Sequence, residues 1–89
     1  MNIPIQKFGK MLISRPAGRE AASIIVSSFN PATTDETIEL DFVGVDVVGP
    51  SWLDEVLSAA RGKWGARVKL VNDSNLSLQE SLKTINSLG

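Results

Sequence analysis

Ser51 is the residue of this chain whose position most favours chemistry. It follows Gly49-Pro50 and stands where an alternating apolar segment gives way to a helical pattern. The start of a helix at the carboxyl end of a parallel strand is electropositive and suits an anion. A hydroxyl there is accessible to a kinase, and phosphorylation would add about −1.5 to −2 charges. Because Asp54 and Glu55 would repel that charge, the modification would disrupt a docking surface.

The same position also has a purely structural interpretation. Ser51 and Asp54 form an S-x-x-D capping signature, in which the hydroxyl accepts a hydrogen bond from a first-turn N–H group. Trp52 fits either a partly buried core residue or an exposed aromatic anchor for a partner, and the sequence leaves both open. We predict that Ser51 is a helix cap and a candidate phosphorylation site. The predicted partner-binding residues around it are Gly49, Pro50, Trp52, Asp54 and Glu55.

A second, weaker candidate site lies at the start of an earlier helical pattern. Ser14-Arg15-Pro16 is typical of a helix start, with Ser14 or Arg15 as the cap. Arg15, Gly18 and Arg19, together with Ser51, are placed to hold a phosphate. Gly18 also falls on the apolar helical face, where it favours close helix–sheet packing. A small-molecule, nucleotide or phosphate binder is therefore the alternative to an interaction module.

The composition excludes several classes of site. The 89 residues include no Cys, no His and no Tyr. Disulfides, thiol redox sites, imidazole metal sites and Ser-His-Asp or Cys-His pairs are therefore ruled out. Asp41 and Asp46 have no third ligand at a fixed spacing, which makes them a poor metal site. We expect a protein that is not an enzyme and needs no cofactor or metal.

The net charge and the hydropathy limit the classes of partner that we expect. The net charge of −1 argues against nucleic acid, which requires an excess of Lys and Arg on one face. No apolar run is long enough for a transmembrane helix or a secretory signal, so we expect no membrane association and a cytoplasmic location.

The hydropathy pattern predicts one α/β domain over residues 1–89. Segments 37–42 and 67–71 alternate as half-buried strands, and a helix over 52–65 separates them, which is a parallel βαβ unit. Further helices are predicted over 16–29 and from the S-x-x-E capping box at Ser77. The apolar pieces at 3–7 and 10–14 fit a hairpin or a bent edge strand.

The strand alternation also predicts where the helices lie. A parallel sheet covered on both faces is apolar throughout, whereas here one face is polar. We therefore predict a two-layer sandwich, with a small mixed or mostly parallel sheet and three helices mainly on one face. On the open face, Glu39 and Asp41 would lie opposite Arg67 and Lys69.

The central segment LDFVGVDVVGPSWLDEVL (40–57) resembles the STAS domains of anti-sigma-factor antagonists and, more closely, the bacterial STAS-like family. The similarity extends to SRPAGRE (14–20) and VKLVN (68–72). It implies a small α/β sandwich that acts as a protein-interaction module. Ser51 matches the serine that a partner kinase phosphorylates in the antagonists, which switches binding off. Pro50 and Trp52 depart from the antagonist motif.

The resemblance also implies the class of partner. STAS-like proteins often lie beside a histidine-kinase-like ATPase domain, which this chain does not contain. The expected partner is therefore a GHKL-type ATPase or serine kinase acting in trans, or an anti-sigma factor.

Overall fold

The computed structural model describes residues 1–88, which form short strands and three helices around one core. The strands are β1 (Asn2–Pro4), β2 (Met11–Leu12), β3 (Ile38–Asp41), β4 (Val47–Val48) and β5 (Val68–Val71), and the helices are α1 (Arg15–Ser28), α2 (Pro50–Trp64) and α3 (Leu76–Leu88). Two 3-10 turns, Ile5–Phe8 and Gly65–Arg67, follow β1 and α2. Each helix in this part of the chain is too short or too polar to span a lipid bilayer.

The strands form two small parallel sheets. One has the order β1-β3-β5 and the other pairs β2 with β4. All strand pairs within residues 1–88 are parallel, and α2 connects β3 to β5 as the βαβ prediction required. Neither alternative for the N-terminal pieces is found: β1 and β2 do not pair as a hairpin, and they belong to different sheets rather than to one bent strand, each running parallel to a later strand.

The three-stranded sheet buries one face and leaves the other polar. Ile3, Leu40 and Leu70 lie side by side in register on the covered face. Ile3 and Leu40 are fully buried. Glu39 and Lys69, which precede Leu40 and Leu70 in their strands, are half-buried and exposed, respectively. The helices therefore cover one face, which confirms the predicted two-layer α/β fold.

The charge pattern predicted for the open face is only half correct. Glu39 lies opposite Lys69 in register, as expected, but Asp41 lies opposite Val71. Arg67 belongs to the 3-10 turn before β5, and its guanidinium donates hydrogen bonds to backbone carbonyls, among them that of Thr33. The strand begins one residue later than the alternation suggests, because Arg67 is held by this turn.

Helices α1 and α2 run side by side in the same direction. Near their starts, Arg15 of α1 contacts Asp54 of α2, and near their ends the ammonium group of Lys63 donates to the carbonyl of Val26. Gly18 permits the close approach: a Cβ atom at this position would lie 2.7 Å from the backbone oxygen and 2.8 Å from the Cα of Trp52. The close packing predicted for Gly18 is therefore helix against helix rather than helix against sheet.

Helix α3 closes the free side of β4. The Ser77 hydroxyl accepts a hydrogen bond from the Val48 N–H at 2.9 Å and donates to the Val48 carbonyl at 3.1 Å. The buried hydroxyl of Ser81 donates to the same carbonyl. Ser77 is therefore not the cap that its S-x-x-E pattern predicted. The side-chain oxygen of Asn75 caps α3 instead, by accepting a bond from the Leu78 N–H at 3.1 Å.

Candidate functional site

The start of α2 lies at the carboxyl end of β4, but it begins one residue earlier than the S-x-x-D signature predicted. Gly49 is the N-cap residue, with extended φ and ψ angles of −83° and 156°, and no side chain caps the helix. Pro50 is the first helical residue, a position that its fixed φ favours. Ser51 is therefore the second helical residue, and the prediction that it caps the helix is wrong. Asp54 and Glu55 consequently lie in the second turn.

The Ser51 side chain is half-buried and its hydroxyl has no internal partner. Within residues 1–88 no hydrogen bond joins the Ser51 hydroxyl to another group. By contrast, the hydroxyl of Ser14 accepts a bond from the Ala17 N–H at 3.2 Å and caps α1, as predicted. The Ser51 hydroxyl is thus left available to an external group.

Trp52 belongs to the core and is not an exposed anchor. Its side chain is 1% exposed, and its ring lies 6.4 Å from that of Phe8 in a tilted arrangement. Gly18 packs on its backbone. Because the indole is buried against the domain's own residues, the interpretation of Trp52 as an exposed anchor is wrong and the core interpretation is correct.

Two exposed apolar residues belong to segments that contact the connection between β4 and α2, and the sequence reasoning missed both. Ile13 is 53% exposed, and its backbone lies against Gly49, where an added Cβ would meet the Ile13 Cα at 3.3 Å. Leu76 is 75% exposed and precedes Ser77, which bonds to the end of β4. We call Ile13, Gly49, Pro50, Ser51 and Leu76 the α2-start surface. The sequence contained one signal for this surface, because Ile13 and Leu76 are apolar residues close to two helix starts.

The two sets of charged residues predicted for separate sites form one cluster. Arg15 donates hydrogen bonds to Glu55 at 2.9 Å and to Asp54 at 3.1 Å, and Arg19 lies 3.6 Å from Glu55. The bond to Glu55, followed by the bond to Asp54, raises the pKa of Arg15. These ion pairs link the starts of α1 and α2. They also neutralise the carboxylates that stand one turn beyond Ser51.

Of the residues predicted to hold a phosphate, the three in α1 already have contacts within the domain, whereas the Ser51 hydroxyl does not within residues 1–88. The guanidinium groups of Arg15 and Arg19 face carboxylates, and Gly18 packs against the Trp52 backbone, so its N–H and Cα do not line an open loop. A phosphate would have to displace Glu55 from both arginines. Among residues 1–88, no group of three acidic side chains is placed to hold a metal ion.

The structure is a small α/β domain with parallel strands and with helices on one face. A turn joins β4 to the central helix α2, and Ser51 stands in the first turn of that helix. The chain belongs to the family described as STAS-like domain of unknown function (DUF4325), whose model matches residues 21–78. This confirms the family that the central motif indicated, and the family's description names no catalytic activity. No curated protein and no solved structure matches the chain.

Proposed function

We propose that this STAS-like domain is a non-catalytic interaction module, which binds a partner through the α2-start surface under the control of phosphorylation at Ser51. The observation that carries the proposal is the half-buried Ser51 hydroxyl, which lies in the first turn of α2 and makes no hydrogen bond within residues 1–88. Adding a phosphoryl group to this oxygen breaks no internal hydrogen bond. The modification is therefore compatible with the folded domain.

The α2-start surface has the character of a docking site. Ile13 and Leu76 are large exposed apolar side chains, and Pro50 is exposed as well. The Ile13 backbone lies against Gly49, and Ser77, the neighbour of Leu76, bonds to Val48. Isolated apolar residues are common on protein surfaces, but a cluster around one turn favours a protein interface. This cluster replaces Trp52 as the source of apolar contact with the partner.

The charges around Ser51 determine what a phosphoryl group would do. Asp54 and Glu55 lie on the following turn, but Arg15 compensates both of them. A phosphoryl group would also be close to the positive end of the α2 dipole, which favours negative charge. The fold therefore tolerates the modification. The modification would weaken docking, however, since a charged group among apolar side chains must lose its water when a partner covers it.

The class of partner follows from the resemblance to anti-sigma-factor antagonists. A GHKL-type ATPase or serine kinase would act in trans in the cytoplasm, where it would transfer the γ-phosphoryl group of ATP to the Ser51 oxygen. The hydroxyl proton would pass to a base on the kinase, and ADP would leave. An anti-sigma factor would occupy the same surface while Ser51 is unmodified.

The proposal can be tested by titrating the domain against the GHKL-type ATPase or serine kinase encoded nearest its gene, without ATP, by isothermal calorimetry. Ser51→Asp and Leu76→Asp are expected to weaken binding at least tenfold. Val43→Asp is the matched control, because Val43 is also exposed, at 57%, but does not belong to the α2-start surface. The surface is wrong if Ser51→Asp and Leu76→Asp both bind like the wild type.

A further inference from the structure

The outer edge of β2 carries unpaired backbone groups. On its inner edge, the carbonyls of Lys10 and Leu12 accept hydrogen bonds from the N–H groups of Val47 and Gly49, respectively. Successive residues of a strand point their backbone groups in opposite directions. The N–H and carbonyl of Met11 therefore point away from β4. The hydrogen bonds found within residues 1–88 include none to these two groups.

The outer edge of β4, on the other side of this two-stranded sheet, is closed by hydrogen bonds. The outward N–H and carbonyl of Val48 in β4 are bonded by the Ser77 and Ser81 hydroxyls of α3. The domain thus closes the β4 edge with side chains and leaves the β2 edge open. An open edge is a template for another strand, and pairing with an extended peptide supplies main-chain hydrogen bonds.

A groove with both apolar and polar lining adjoins the open edge. It has a volume of about 260 Å³ and lies between β2 and α1, with α2 contributing to it. Its apolar lining is provided by Phe8, Met11, Leu12, Ala21, Ile24 and Trp52. Met11 and Ile24 are exposed, at 68% and 41%. This volume is below the range of about 300–1,000 Å³ for small-molecule sites, so it suits one or two side chains.

Glu20 gives the groove a charge. It is the charged residue of the lining, it is exposed, and no ion pair to it is found among residues 1–88. The neighbouring α1 arginines are directed to α2 carboxylates instead. An occupant with a Lys or Arg beside its apolar side chain would therefore complement the groove in both hydrophobicity and charge.

From these three features we infer that β2 and the adjoining groove bind an extended segment of a partner protein. The segment pairs its backbone with the N–H and carbonyl of Met11, places an apolar side chain in the groove and directs a basic side chain to Glu20. This site is distinct from the α2-start surface and does not depend on phosphorylation of Ser51. The domain would thus hold a partner segment whether or not Ser51 is modified.

The test is a selection from a phage-displayed library of random decapeptides on the full chain, with counter-selection on the Ile24→Glu variant. Enriched peptides should carry an apolar residue flanked by Lys or Arg. Ile24→Glu should weaken a selected peptide at least tenfold and Glu20→Lys about fivefold. Val43→Glu, an exposed site outside the groove, should bind like the wild type. Hydrogen exchange should show slower exchange of the Met11 N–H with peptide bound.

Several results would overturn the inference. These are no enrichment over the counter-selection, selected peptides without a basic residue, and unchanged exchange at Met11. A fourth is a dimer in light scattering that Ile24→Glu dissociates, since a second copy of the chain would then occupy the groove. Circular dichroism of each variant establishes that it is folded. If Ile24→Glu fails to fold, Glu20→Lys on the exposed rim takes its place.

Discussion

Gly18→Ala is expected to destabilise the domain, although replacing a helical glycine by alanine normally stabilises it. In the interior of a helix, alanine is favoured over glycine by about 0.5–1 kcal/mol. At Gly18, however, the new methyl group would lie 2.7 Å from the oxygen and 2.8 Å from the Cα of Trp52. These are backbone atoms of α2, so α1 and α2 must move apart.

The size of the effect follows from these opposing contributions. Overpacking of a core costs about 1–3 kcal/mol, which outweighs the helix preference. After the preference is subtracted, Gly18→Ala should therefore lower the free energy of unfolding by about 1 kcal/mol, within a range of about 0–2.5 kcal/mol. In a domain of this size, 1 kcal/mol corresponds to a change in Tm of about 4–8 °C.

Gly62 provides a matched control within the same pair of helices. It lies inside α2 and is exposed, and a Cβ there would have nothing within 4 Å. Gly62→Ala should raise the free energy of unfolding by about 0.5–1 kcal/mol. Urea denaturation of the two variants measures the difference, which isolates the contact with Trp52. If Gly18→Ala stabilises the domain as much as Gly62→Ala does, the close helix packing described above is wrong.

Three further perturbations test other parts of the structure. Ser77→Ala should lower the free energy of unfolding by about 1–3 kcal/mol in urea denaturation, because the buried N–H of Val48 loses its partner. Hydrogen bonds, of which that from Asn72 is the largest cause, lower the pKa of Asp41. The contribution of Asp41 to stability is therefore complete above the pKa of about 4 in the unfolded chain, and it is lost as the pH falls through the lower pKa of the folded domain. Asp41→Asn should consequently flatten the acid side of a plot of Tm against pH. Phosphate and nucleotides should not raise the Tm, because Arg15 is already paired.

Each of these has a contradicting result. Ser87→Ala removes an exposed hydroxyl that bonds within α3, and it should be almost neutral; an equal loss for both serines would contradict the role of Ser77. An acid profile of Asp41→Asn that matches the wild type would contradict the role of Asp41. Stabilisation by phosphate that Arg15→Ala abolishes would establish the phosphate-binding alternative.

Strands β3 and β5 and the family were predictable from local patterns, since alternation and the central motif need no tertiary contact. Strand β4 was not predicted, because its two residues are too few to show alternation. Ser14 was also predictable as a cap, because Pro16 follows it within the first turn. The start of α2 was not, since two overlapping signals competed: Ser51 with Asp54 favoured one start, and Pro50 favoured the earlier one. Proline at the first helical position prevailed, and Ser51 lost its capping role.

The rest of the candidate site depended on contacts between distant parts of the chain. Trp52 is buried because α1 crosses α2 at Gly18, and no local pattern reports a helix crossing. Arg15 and Glu55 are 40 residues apart and were predicted for different sites. The α2-start surface includes Leu76, whose position follows from the bonds of Ser77 to β4. Such placements become visible only when the helices are packed.

The central claim is that Ser51 is the phosphorylated residue that controls docking. The most direct measurement incubates the domain with ATP and a GHKL-type ATPase or serine kinase, the proposed class of partner, followed by mass-spectrometric mapping of the phosphopeptide and calorimetry of the modified protein. One phosphoryl group is expected on Ser51, with binding weakened at least tenfold. Ser51→Ala should remain unmodified, whereas Ser58→Ala, which removes another serine of α2, should be modified like the wild type. The claim is contradicted if Ser51→Ala is still phosphorylated, or if phosphorylated Ser51 leaves the affinity unchanged.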